Sequence, residues 1–212
     1  MVRVVSSTKA SIIESAIYLF NTKGYDGVSI RDIANRANVN AANISYYFNG
    51  KQGLLEACFI QFFEGYLACI EDEVHLLGRE RPEMCLKRAI INILNYQKKH
   101  HLLSRFVWRE TSIDSQVVRE ITSSYLMKER FLLKQLVEGA MTDKHIKPSY
   151  ISFFIIQLRS MLTMPFLNSQ YLREVWSVFP NEKYFVDKYF LVIQDWLDES
   201  ILKFPLMEVI HL

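Results

Sequence analysis

The chain has 212 residues, half of them hydrophobic, which suits one large or two small domains around a filled core. Seven Gly and five Pro are too few for a many-stranded, turn-rich β protein, so an all-α fold is expected. The net charge of +2 is unevenly placed: residues 1–60 hold six bases (Arg3, Lys9, Lys23, Arg31, Arg36, Lys51) against four acids (Glu14, Asp26, Asp32, Glu56), and the rest balances. The excess positive charge falls where a nucleic-acid reader would carry it.

Cys58, Cys69 and Cys85 are odd in number and widely spaced, so reduced thiols are expected rather than a disulfide framework or a zinc site. The first residues lack a signal-peptide core, and no run approaches the roughly 18 apolar residues of a membrane span. A cytoplasmic protein is the expectation.

In chain order, Ser7 or Thr8 can cap a first helix whose apolar positions Ile12, Ile13, Ala16, Ile17, Leu19 and Phe20 keep a helical period until Gly24 permits a left-handed stop. Ser29 with Asp32 reads as a capping box, Ile30, Ile33, Ala34 and Ala37 as the apolar stripe of a two-turn helix, and Asn38 as its left-handed end. Val39 is expected to plug the turn. Asn40 then caps a third helix, Ala41 to Phe48, with Ile44 and Phe48 facing inward.

The outer arc of that helix has small residues first and tyrosines last. Such a gradient suits a recognition helix that enters the major groove by its N-terminal end, where small side chains permit close approach and an amide reaches base edges. The segment resembles the helix-turn-helix of the TetR family of bacterial regulators through Gly24, Ser29, Ile33, Ala34, Val39, Ile44, Tyr46, Phe48, Lys51, Leu54 and Leu55.

That resemblance implies a helix-turn-helix DNA-binding domain over 1–52 and a helical dimerisation, regulatory and partner-binding domain over 53–212. It also implies that Ser29, Tyr46, Tyr47 and Lys51 bind phosphates, which position a protein without reading sequence. Ala41, Ala42 and Ser45 depart from the usual Lys, Gly and Tyr of the family. Asn43 is left to pair with an adenine edge, and the Ala41 and Ala42 methyls to meet thymine. With only Arg31, Arg36 and Lys51 close by, a modest salt slope is expected.

A long fourth helix follows, in which Phe59, Phe62, Phe63, Tyr66, Leu67 and Ile70 read as core rather than a cofactor box. Pro82 suits the first turn of the next helix. Arg105 and Arg109, four apart, need an acidic partner such as Glu110 or Asp114. Asp114 or Ser115 can open a further helix, and Pro205 sets off a short apolar tail. Two late helices rich in Phe, Tyr, Trp, Met and Leu read as the seam of a homodimer. In a TetR-like fold that seam is a four-helix interface, and the two recognition helices would address a palindrome from roughly 34–36 Å apart.

No Gly-rich phosphate loop, helical zinc-binding pattern or nucleophile elbow is present, so no catalytic residue, cofactor or metal site is expected. Two roles remain open. One is a ligand-responsive repressor. The other follows from the segments 105–110, 124–129 and 158–167, which resemble a narrower group of regulators in spore-forming bacilli, the RefZ type. That likeness implies a nucleoid-associated homodimer that binds palindromic chromosomal sites and inhibits assembly of the division protein FtsZ during sporulation. Arg105, Arg109 and Arg119 would then be candidate contacts to acidic FtsZ.

Overall fold

The computed structural model describes residues 2–113, 115–141 and 148–202, with side chains from residue 8 to residue 201 of these. The described residues form ten helices: α1 (Val2–Lys23), α2 (Ile30–Ala37), α3 (Ala41–Phe48), α4 (Lys51–Val74), α5 (Pro82–Lys99), α6 (His101–Ile113), α7 (Gln116–Ala140), α8 (Pro148–Leu167), α9 (Ser169–Trp176) and α10 (Lys183–Leu202). Asp114 and Pro205 lie outside the described residues.

Packing divides the chain into two compact units: residues 1–65 with 100–124, and residues 66–99 with 125–212. The unit that holds the proposed DNA-reading part is therefore larger than residues 1–52. Its extra mass is the first half of α4, the whole of α6 and the start of α7, and aromatic packing ties α6 into it. Phe106 of α6 stacks on Phe20 of α1 at 5.2 Å and meets Phe59 of α4 edge-on at 6.0 Å. Trp108 packs edge-on against Phe62 and Phe63 at 5.1 and 6.0 Å. Polar ties run the same way, since Asn21 Nδ2 donates to the Leu102 carbonyl at 2.8 Å and Arg109 Nη2 to the Phe20 carbonyl at 2.8 Å.

In the second unit, Tyr66, Leu67 and Ile70 of α4, Leu86, Ile90 and Ile93 of α5, and Leu133, Leu136 and Leu158 are buried. Polar groups inside it are paired. The Tyr66 hydroxyl donates to Glu129 Oε1 at 2.7 Å, Arg159 Nε donates to Glu129 Oε2 at 2.9 Å, and Gln97 Nε2 donates to the Leu162 carbonyl at 2.9 Å. Arg88 bridges Glu73 and Glu80 at 2.8 and 2.6 Å.

Two sequence expectations change. α1 runs back to Val2, so Ser7 and Thr8 lie inside the helix rather than capping it. α4 and α8 are each long and apolar enough by composition to cross a membrane, contrary to the reading that no run comes close. Their apolar residues supply core positions, among them Phe59, Phe62 and Phe63 in α4 and Phe154, Leu158 and Leu162 in α8. Cys58 and Cys85 are buried and Cys69 is half-buried, all free thiols. Burial pushes Cys58 up to about 12 and Cys69 to about 11, which leaves little nucleophilic thiolate.

Candidate nucleic-acid interface

The helix-turn-helix is built from local signals. Ser29 Oγ accepts from the Asp32 amide at 3.1 Å, and the Asp32 carboxylate accepts from the Ser29 amide at 2.8 Å and from its hydroxyl at 2.6 Å, a complete capping box. Those bonds, the hydroxyl's first, hold the Asp32 carboxyl below its ordinary value. A depressed folded value means that the box contributes fully above the ordinary carboxylate range and is lost as pH falls through the depressed value.

α2 ends at Asn38, which takes the left-handed conformation (φ 54°). Val39 is half-buried and is not the plug that its place in the turn suggests. The turn is closed by backbone instead, with the Val39 amide donating to the Ala34 carbonyl at 3.0 Å, while Ile33 and Ile44 fill the space beneath and are fully buried. Asn40 Oδ1 then accepts from the Ala42 amide at 2.9 Å and starts α3.

α3 turns into α4 through left-handed Asn49 (φ 57°) and Gly50 (φ 99°). Gly53 sits against the Phe48 carbonyl oxygen so closely that a Cβ there would overlap it, so this corner needs glycine. Lys51 is thereby placed at the first turn of α4.

On α3, Ile44 points inward and Phe48 is half-buried. Ala42 and Ser45 are exposed, Ala41 and Asn43 are half-buried, and Tyr46 is 82% exposed. Tyr47 is half-buried, edge-on to Tyr46 at 5.1 Å. Ser29 is exposed at the start of α2. The leading end of α3 thus shows small side chains and one amide, and its trailing end shows an aromatic hydroxyl.

Three basic side chains here lie over aromatic rings. Arg36 Cζ lies 3.5 Å from the Tyr18 ring centroid, Lys51 Nζ 4.2 Å from that of Tyr25, and Lys9 Nζ 5.5 Å from that of Tyr47. These pairs join residues from separate helices or turns, and nothing in the local pattern announces them.

The candidate partner arginines fare differently. Arg109 is paired with Glu110 at 3.1 Å, one of the two acidic partners expected, and also donates to the Phe20 carbonyl. It is a structural tie between α6 and α1. Arg105 is half-buried and Arg119 is exposed.

Residues 12–58 match the family described as "Bacterial regulatory proteins, tetR family". The chain is 44% identical over 191 residues to "Probable HTH-type transcriptional regulator YttP" of Bacillus subtilis, covering 90% of this chain and 92% of that protein. It is 34% identical over 74 residues to the "Biofilm operon icaADBC HTH-type negative transcriptional regulator IcaR" of Staphylococcus epidermidis, which covers 33% of this chain and 40% of that one. Two solved structures share the fold. The "Clostridium perfringens putative fatty acid metabolism regulator" has a TM-score of 0.72 at 19% identity, covering 92% of this chain and 99% of that one. PfmR of Thermus thermophilus has a TM-score of 0.71 at 17% identity, covering 88% and 96%. With a helix-turn-helix of this geometry and a relative of this identity along nearly its whole length, the chain belongs to the TetR family of bacterial DNA-binding transcriptional regulators.

Proposed function

We propose that this regulator reads DNA as a homodimer through α3, and that its second unit makes it responsive to a small ligand. The observation that carries the reading is the surface of α3, where Ala41, Ala42 and Asn43 lead and Tyr46 stands 82% exposed behind them. Asn43 pairs with a base edge and the two alanines meet thymine methyls. Ser29, Tyr46 and Lys51 bind phosphates on either side, with Tyr47 beside them.

The dimer is supported by apolar side chains left uncovered in the second unit. Phe153 and Ile156 of α8, and Tyr184, Leu191 and Val192 of α10, are each more than half exposed. That is the composition of an interface core. A two-fold axis there is self-complementary and doubles the few phosphate contacts of each reading head.

Ligand response follows the repressor reading, which is supported by relatives named as transcriptional regulators, one of them a negative regulator. Inhibition of FtsZ assembly rests on less, because Arg109 is engaged within the fold. Light scattering from FtsZ polymers that stays the same on addition of the chain would remove that role.

Selection from a random-sequence duplex library tests the main reading. Two half-sites related by a two-fold axis, centred roughly 34–36 Å apart, are the expected product. An asymmetric consensus, or none, would overturn the homodimeric reading.

A further inference from the structure

Five basic side chains are described in residues 1–60: Lys9, Lys23, Arg31, Arg36 and Lys51. Two of them bracket the C-terminal end of α3, and each lies over a tyrosine face. Lys51 opens α4 with its Nζ 4.2 Å from the Tyr25 ring centroid. Lys9, exposed on α1, has its Nζ 5.5 Å from the ring centroid of Tyr47 on α3. Lys9 also lines one open groove with Tyr46, Tyr47 and Gln52.

The two tyrosines are themselves fixed. Tyr25 is half-buried, its ring 5.3 Å from that of fully buried Phe20. Tyr47 is half-buried between Tyr46 at 5.1 Å and Phe48 at 6.4 Å. A lysine loses rotamer freedom when it settles on a phosphate, and a ring that already holds the ammonium removes part of that cost before DNA arrives. The ring quadrupole does this without neutralising the charge, whereas a carboxylate partner would cancel it.

We infer that Tyr25 and Tyr47 are positioning residues whose ring faces hold Lys51 and Lys9 beside the end of α3 for DNA phosphates, which adds Lys9 of α1 to the phosphate-binding set. The inference rests on the reading that this unit binds DNA. It changes the role of Tyr47, whose ring rather than its hydroxyl is what matters.

The test is fluorescence anisotropy of a labelled random-sequence duplex with the full chain over a salt series, because the phosphate contribution is independent of sequence. Lys9→Ala is expected to lower the magnitude of the salt slope by about 0.9 for each phosphate that the variant no longer neutralises. Tyr47→Leu is expected to weaken binding about two- to fivefold with the slope kept, and Tyr47→Phe to bind like wild type. In a Lys9→Ala background, Tyr47→Leu should have no further effect, since the ring acts through that lysine. Tyr25 and Lys51 should repeat the pattern, with thermal unfolding of Tyr25→Leu as a check because that change also removes the ring beside Phe20.

Three results overturn the inference: Tyr47→Phe as weak as Tyr47→Leu, an equal loss from Tyr47→Leu with and without Lys9, or a slope indifferent to Lys9→Ala. A wild-type chain that binds no duplex at any salt overturns the DNA reading itself, and is distinguishable from all three.

Discussion

Phe106→Ala should destabilise the protein by about 3–5 kcal/mol, the range for truncating a fully buried phenylalanine, and should weaken DNA binding although residue 106 lies far along the chain from the reading helix. The ring is stacked on Phe20 and edge-on to Phe59, and all three are fully buried. The site has little room to collapse, because α6 is also tied to α1 by the Asn21 and Arg109 hydrogen bonds. Removing the ring therefore leaves a cavity rather than a rearranged core. Urea unfolding of the variant measures this. A loss under about 1 kcal/mol would mean that α6 does not support the reading unit in the way its packing indicates.

Glu129→Ala should cost about 2–3 kcal/mol, from a different cause. One carboxylate accepts from both Tyr66 and Arg159, and Tyr66 is fully buried, so its hydroxyl would be deprived of this acceptor away from water. Arg159 contributes less to the loss because about a third of its side chain reaches solvent. Glu129→Gln keeps the shape and an acceptor and should cost less. Burial first, then Glu129, raises the Tyr66 pKa well above its ordinary 10.0. A raised folded value means that the protonated hydroxyl contributes fully below about pH 10 and that the contribution declines as pH rises beyond it. Tyr66→Phe should accordingly make the alkaline limb of the stability profile flatter than in wild type.

Both predictions concern contacts that are silent in the sequence, and the contrast with what is legible there has a physical basis. The capping box at Ser29, the left-handed Asn38, the Asn40 cap and the inward Ile44 all follow from interactions within four residues, where identity and spacing determine geometry. The pairing of Arg109 with Glu110 is readable for the same reason. Val39 departs from expectation because its side-chain type suggests burial, whereas the turn is held by backbone bonds around a core that Ile33 and Ile44 already fill. Phe106 on Phe20, Glu129 between Tyr66 and Arg159, and the lysines over Tyr25 and Tyr47 join residues that the fold alone brings together. No periodicity marks such pairs. For that reason the packed unit around the helix-turn-helix runs past residue 52 and takes in α6 as well.

If α3 reads bases with its leading residues and holds phosphates with its trailing ones, two variants behave differently. Fluorescence anisotropy on the selected palindrome and on a scrambled duplex should show Tyr46→Ala weakening both alike, because a phosphate contact carries no sequence information. Asn43→Ala should instead erode the preference between them, by a factor corresponding to about 1–3 kcal/mol for a bidentate amide on adenine, while leaving the scrambled duplex nearly unaffected. If both variants bind both duplexes as wild type does, the reading surface lies elsewhere on the chain.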